Sequence, residues 1–236
     1  MSNRQRYTTK TTSGATMLYE RDRLYDILNE IKGAIGFSCS YQAEDIALLH
    51  LLKDHDNIEI FTLETLKHFH QSETFHNEIE RFFNVKIIKY YPDQSEVKEL
   101  ETELGDYGMR ESLEKRRLCC DIRKVRPLER ALKNKSAWIT GLRAAQSITR
   151  ANLQLVEYDE KYRLLKINPI FDWSEKELYD YIAQNDLPLH PLYAEGFKSI
   201  GCEPCTRAVA EGEDIRSGRW WWENPEHKEC GLHIKG

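Results

Sequence analysis

The 236-residue sequence predicts an α/β fold: a mostly parallel sheet with helices on both faces, followed by a loop-rich C-terminal tail. Three observations carry that expectation. Short apolar runs alternate with stretches of helical periodicity, the pattern of parallel strands joined by covering helices. Hydrophobic residues make up 40% of the chain and charged ones 31%, enough for a real core in one large domain or a domain with appendages. From Asn185 onward, Pro188, Pro191, Gly196, Gly201 and Pro204 break every regular element.

Residues 1–16, rich in Thr, Ser and Arg without periodicity, read as a flexible arm. Within Leu18–Ile31, the positions Leu24, Ile27, Leu28 and Ile31 have helical spacing. Ala34–Ser40 is a short strand-like run ending in small polar residues, and it feeds into a largely buried helical pattern over Ala43–Leu52. Strand, small-residue turn and helix is the layout that aims backbone N–H groups at an anion. By itself the turn is a weak signal, since many Ser-rich turns hold no ligand. Ile58–Leu63 reads as the next strand, and Phe75, Ile79, Phe82 and Phe83 share one face of a helix. Val85–Tyr90 is a further strand, stopped by Pro92, and a charged helix follows over Ser95–Leu104, with Gly105 and Gly108 at its turn. Val125, Leu128 and Leu132 predict a helix beginning near the pair Cys119-Cys120. Ala137–Thr140 is a strand closed by Gly141, and Arg163–Asn168 is another. Ser174, with Glu177 in capping-box position, starts a helix whose apolar face is Leu178, Tyr181 and Ile182. No internal repeat or low-complexity segment is visible.

No apolar run reaches the length of a membrane span, and the longest, around Ile46–Leu52, is interrupted by His50. Met1–Lys10 is polar and lacks the apolar core of a signal peptide, so a cytoplasmic protein is expected. A net charge of −5 argues against a nucleic-acid partner, and the lack of a span against a membrane one. In a reducing compartment, six cysteines read as metal or redox chemistry rather than structural disulfides.

Cys202 and Cys205 form a C-x-x-C pair in a Gly/Pro-shaped loop, and Cys119 and Cys120 lie side by side in the basic run Lys115–Lys124. Four such thiols leave three readings: an iron–sulfur cluster, a zinc ion, or unliganded core cysteines. Adjacency favours the cluster, because neighbouring side chains on a helix diverge by about 100° and a cluster offers separate iron corners. Cys39, unpaired in sequence, reads as a small packed hydrophobe. Cys230, near the chain end, is either an inert tail residue or a thiol able to visit successive partners. Lys228 and His233 favour its thiolate and Glu229 opposes it, so local charge does not decide. Basic residues cluster at Arg116, Arg117, Arg123, Lys124 and Arg126, at Arg143 and Arg150, and at Arg216 and Arg219. They are solvated faces or, if gathered at the strand C-terminal ends, a site for phosphate or sulfate groups.

Several stretches together resemble the assimilatory adenylylsulfate (APS) reductases, relatives of the phosphoadenylylsulfate (PAPS) reductases. These are Ser38–Asp45, Cys119–Leu128, Trp138–Arg143 with Gln146, Ser147 and Arg150, Ser199–Arg207, Gly212–Trp220 and Glu229–His233. The resemblance spans about residues 34–233 and implies an adenine nucleotide alpha hydrolase-like domain over 17–210 and a mobile catalytic tail over 211–236. It implies that Cys119, Cys120, Cys202 and Cys205 hold a [4Fe–4S] cluster. It implies further that Cys230 attacks the sulfur of APS, releasing AMP, and that thioredoxin or a similar dithiol protein then releases sulfite from the Cys S-sulfonate. Ser38, Ser40, Leu63, Lys124, Arg143, Arg216, Arg219 and His233 are the implied substrate-binding residues. Self-association and PAPS or dual specificity are left open.

Two positions depart from the family pattern. Leu66 stands in Leu63-Glu-Thr-Leu-Lys67 where the family commonly has Gly, and Ala144 stands where a second Arg is usual. Two rival readings are an ATP-using thiolation enzyme, disfavoured because Ser38–Asp45 lacks a Gly-Gly-Lys-Asp-type loop, and a non-catalytic metal-stabilised binding module.

Overall fold

The computed structural model describes residues 13–146, 150–228 and 231–232, and the chain divides into a unit of residues 1–32 and a unit of residues 33–236. The first contains the helix α1 (Ser13–Glu30), which starts earlier than the periodicity from Leu18 suggests, so four residues of the expected arm are helical.

The second unit is built on six strands: β1 (Ile35–Ser38), β2 (Ile58–Leu63), β3 (Ile88–Tyr90), β4 (Ala137–Ile139), β5 (Val156–Asp159) and β6 (Leu164–Ile167). They lie in the order β3-β2-β1-β4-β6-β5, all pairs parallel except the edge hairpin β5–β6. Consecutive residues of β1 (Ile35, Gly36, Phe37) and of β4 (Ala137, Trp138, Ile139) are all buried. Alternate side chains point to opposite faces, so both faces of the sheet are covered, as an α/β sheet requires. α2 (Ala43–Leu52) packs against α7 (Glu175–Gln184), and α6 (Arg126–Leu132) supplies Leu128, Ala131 and Leu132 to a core with Phe61, Trp138 and Leu164. The capping box expected at Ser174 and Glu177 starts α7.

The chain runs from β1 outward through α2, β2, α3 (His70–Phe83) and β3, then returns through α4 (Gln94–Leu104) to β4 on the other side of β1. The reversal leaves a crevice at the C-terminal ends of β1 and β4, where open α/β sheets place ligands.

Three elements differ from expectation. β3 is shorter than Val85–Tyr90, because Asn84 leaves α3 in the left-handed region and the amides of Val85 and Ile87 bond back to Glu80. β5 was not legible: Val-Glu-Tyr-Asp is short and half charged, and its strand form depends on its partner β6. α5 (Leu113–Cys120), capped by Ser112, was also missed, because Arg and Lys occupy the positions an apolar stripe would mark. α5 runs through a π turn (Asp121–Val125) into α6, so the adjacent cysteines end a helix instead of preceding one. π turns recur at functional sites.

Among the described residues, no helix is long and apolar enough to cross a membrane.

Candidate active site

The crevice is an open cleft, as small-molecule sites at such positions commonly are. Ser38 and Ser40 reach it from the turn after β1, Thr140 and Gly141 from the end of β4, and Lys124 from the π turn. The tail supplies Lys198, Ile200, Arg216, Arg219 and Trp220.

The turn after β1 is held by its own side chains. Tyr41 takes a positive φ of 62°, and Asp45 accepts bonds from both the amide and the hydroxyl of Ser40 at 2.6 Å. The amides of Cys39, Ala43 and Asp45 are donated to the Phe61 carbonyl, the Tyr193 hydroxyl and the Gln42 carbonyl. These amides therefore do not face an anion as the strand–turn–helix layout suggested. Burial pushes the Asp45 carboxyl up to about 7, against the pull of its Ser40 bonds. Gly141 is required here, since a Cβ would lie 2.3 Å from Asp45 Oδ1.

The Gln42 side chain joins this turn to the C-x-x-C loop, accepting from the Ile200 amide at 3.0 Å and the Ser199 hydroxyl at 3.2 Å. That loop is paired in turn with the tail. Arg207 donates its amide to Gly218 O, Trp220 donates to Cys205 O, and Thr206 and Arg219 form an antiparallel bridge.

All four paired cysteines line a second, smaller cavity next to the cleft, together with Lys67, Arg116, Arg123, Lys124, Arg219 and Trp220. Met109, Cys120, Cys205 and Trp220 form its buried core, with Cys119, Cys202 and Trp222 packed against it. Five cations thus surround four thiols. Three buried donors at this cavity, Arg123 Nε, Arg219 Nε and Trp220 Nε1, have no hydrogen-bond acceptor in the protein. Cys202 donates to the Thr65 hydroxyl at 3.3 Å. Burial alone would raise its thiol, but Lys124, His68, the Thr65 bond and Arg219 outweigh it and hold the group at about 7. Burial, then Cys202, pushes Cys205 up to about 12 and Cys119 upward as well. Among the described residues, no group of three or more His, Cys, Asp or Glu is placed so that it could hold a metal ion.

The Trp220 ring separates the two cavities, with the guanidinium carbons of Arg219, Arg116 and Arg216 at 4.6, 4.7 and 6.0 Å from its centre. Arg116 is almost fully buried, paired with both Glu223 oxygens at 2.8 Å and bonded to the His227 carbonyl at 2.8 Å. Arg110 holds the opposite side, donating to the Pro204 carbonyl and stacking on Tyr107, Trp221 and Trp222. Arg216 donates to the Lys228 carbonyl at 2.7 Å. The tail through Lys228 is therefore anchored to α5, the helix that carries Cys119 and Cys120.

The structure brings together Ser38, Ser40, Lys124, Arg216 and Arg219 in the cleft. Leu63 lines an adjoining hollow with Thr62, Ile200, Gly201 and Leu232. Arg143 is placed apart: it is buried, pairs with Glu44 at 2.8 Å and donates to the Trp173 carbonyl, and it does not line the cleft. Arg126 bonds Asp121 and Glu96 away from the cleft. Cys230 and His233 lie outside the described residues. Leu66 adopts φ 60°, the left-handed conformation that the missing glycine would take without strain.

Residues missed from sequence include Lys198, Gln42 and Thr65. The signal for Lys198 was available: it precedes the C-x-x-C loop by four residues, between Gly196 and Gly201. Gln42 and Thr65 act through contacts with distant segments, which no local pattern marks.

Residues 34–208 match the family described as the phosphoadenosine phosphosulfate reductase domain. The chain is 45% identical to the adenosine 5'-phosphosulfate reductase of Allochromatium vinosum over 85% of its own length and 78% of that protein. It is 41% identical to the protein of the same name from Burkholderia cepacia, over 96% of this chain and 91% of that one. Among solved structures, a PAPS reductase from Candida auris in complex with phosphate shares the fold with a TM-score of 0.67 at 21% identity. The alignment covers 86% of this chain and all of that one.

Proposed function

This chain belongs to the phosphoadenosine phosphosulfate reductase family, and on that premise we propose that it reduces adenosine 5'-phosphosulfate to sulfite and AMP in sulfate assimilation. Thioredoxin or a similar dithiol protein is the reductant in this reading, and Cys230 is the nucleophile. The observation that carries it is the sharing of Lys124, Arg219 and Trp220 between the cleft at the strand ends and a cavity lined by four cysteines.

In the first half-reaction the Cys230 thiolate attacks the sulfonate sulfur. A sulfur–sulfur bond forms, the bond from that sulfur to the phosphate oxygen breaks, and AMP leaves with the electron pair. Charge builds on the departing phosphate, so fixed cations lower the barrier. Lys124, Arg216 and Arg219 line the cleft where that charge develops. In the second half, one thiolate of the dithiol protein attacks Cys230 Sγ and displaces sulfite. The second thiolate then resolves the mixed disulfide, restoring Cys230 and leaving the reductant oxidised by two electrons. A covalent intermediate divides one difficult displacement into two easier ones.

The cysteine cavity suits a [4Fe–4S] cluster held by Cys119, Cys120, Cys202 and Cys205. A cluster on four thiolates is anionic overall, which matches five surrounding cations and three buried donors without a protein acceptor. The adjacency of Cys119 and Cys120 at the end of α5 disfavours a single zinc ion, since neighbouring side chains on a helix diverge. Bound there, the cluster would supply a fixed negative charge and an organising centre for the loops. Lys124 and Arg219 line both the cysteine cavity and the cleft, so a cluster there would set the field in which these two cations meet the substrate.

The test is sulfite production from APS with reduced thioredoxin, in wild type and Cys230→Ser. The proposal expects turnover in the first and none in the second, and full turnover by the serine variant would overturn it.

A further inference from the structure

Arg143 does not line the cleft, but a continuous hydrogen-bonded chain runs from it to residues that do. Its guanidinium Nε and Nη2 both donate to Glu44 Oε1, at 3.1 and 2.8 Å, and Nη1 donates to the Trp173 carbonyl at 3.2 Å. The same carboxylate oxygen accepts from Gln146 Nε2 at 2.9 Å. The other end of the Gln146 amide, Oε1, accepts from the Arg143 backbone N–H at 3.1 Å and from Arg150 Nη1. Glu44, in the first turn of α2, lines the cleft, and so do Gln146 and Arg150. Arg143 is 2% exposed and Glu44 9%, so the inner half of the chain is fixed in the core.

We propose that Gln146 is a positioning residue: braced by the Arg143–Glu44 pair, its amide holds the Arg150 guanidinium on the cleft to grip the anionic end of the sulfonucleotide. A side-chain amide offers donors at one end and an acceptor at the other. Here the donor end meets a carboxylate and the acceptor end meets two N–H groups, so only one orientation satisfies every partner. Neutrality matters as much as direction. A carboxylate at position 146 would also hold Arg150, but it would neutralise that cation and press against the charge of Glu44. An amide orients the guanidinium without cancelling its charge. Arg143, which the motif resemblance places at the substrate, thus acts at two removes, through Glu44 and Gln146. This inference rests on the proposed substrate, because Arg150 needs an anionic ligand to act upon.

The test is a double-mutant cycle on APS kinetics at saturating reduced thioredoxin, with Gln146→Ala, Arg150→Met and the two combined, and an unfolding curve for each. Arg150→Met should raise KM for APS about thirtyfold and Gln146→Ala about tenfold, with kcat within about threefold of wild type, because a displaced guanidinium loses contact in ground and transition states alike. In the Arg150→Met background, adding Gln146→Ala should alter KM by less than about twofold. Gln146→Glu keeps the side chain's shape and should raise KM at least as far as Gln146→Ala. A wild-type KM in any single variant overturns the positioning role. So does a Gln146→Ala effect of equal size with and without Arg150, the signature of a general loosening. The reaction is checked separately on wild type: no sulfite from APS sinks the proposed activity and this inference together, whereas normal turnover with an uncoupled cycle removes only Gln146.

Discussion

Glu223→Ala should destabilise the protein by roughly 3 kcal/mol, because it strands a buried guanidinium. Arg116 is 1% exposed and Glu223 8%, and the two share paired bonds of 2.8 Å. Removing one partner of such a pair costs about 3–5 kcal/mol. Arg116 keeps the His227 carbonyl and the face of Trp220, which places the loss at the lower end. For a chain of this size that corresponds to a melting point lower by roughly 6–12 °C. Chemical and thermal unfolding, read by far-UV circular dichroism on samples of equal metal content, measure both quantities. The paired change Arg116→Met with Glu223→Leu should be far milder, within about 1 kcal/mol of wild type, since packed apolar side chains replace a desolvated ion pair. A single variant losing under about 1 kcal/mol, or a double variant as unstable as the single, would refute the claim that this pair fastens the tail to α5.

Asp45 makes stability depend on pH with a definite sign. Its carboxyl rises from 3.8 to about 7 on folding, so its neutral form stabilises the fold fully below about pH 4, and that contribution fades as pH climbs toward 7. The total is on the order of 4 kcal/mol, so Asp45→Asn should gain on wild type by up to that amount between pH 4 and 8; unfolding curves that stay parallel across the range would exclude it. Gly201→Ala places a Cβ 2.3 Å from Arg219 Nη2 and should swing that guanidinium aside, raising KM for APS about tenfold with little change in melting point. Steady-state kinetics with an unchanged KM would place Arg219 outside substrate binding. Anaerobically purified protein should carry about four irons per chain and absorb visibly through sulfur-to-iron charge transfer, and Cys202→Ser should lose both. Colourless, iron-free protein with full activity would remove the cluster from this account.

Much of the fold was legible because burial leaves a local trace. Ala43–Leu52 and Ile58–Leu63 form a helix and a strand with the boundaries their apolar runs suggested, since both are packed into the core. α5 and β5 left no such trace. α5 is held by Arg116 and the cysteine core, so its inward side chains are charged or sulfur-bearing, and β5 depends on β6 for its bonds. In the site, cysteine spacing pointed to one cavity because four thiols in two close pairs have few other uses. Arg143 shows the limit of such reading: a motif places an arginine in sequence, whereas Glu44, 99 residues away, decides where its charge is used. The same holds for Gln42, whose contacts lie 157 and 158 residues along the chain.

The most direct measurement is the fate of sulfur in a single turnover without reductant. Protein mixed with APS should release at most about one AMP per chain and carry one sulfonate, mapped by peptide mass analysis to Cys230 and discharged as sulfite when reduced thioredoxin is added. AMP release with no sulfonate on the protein, or a sulfonate mapped to one of the four cavity cysteines, would contradict the division between four cavity thiols and one that reacts.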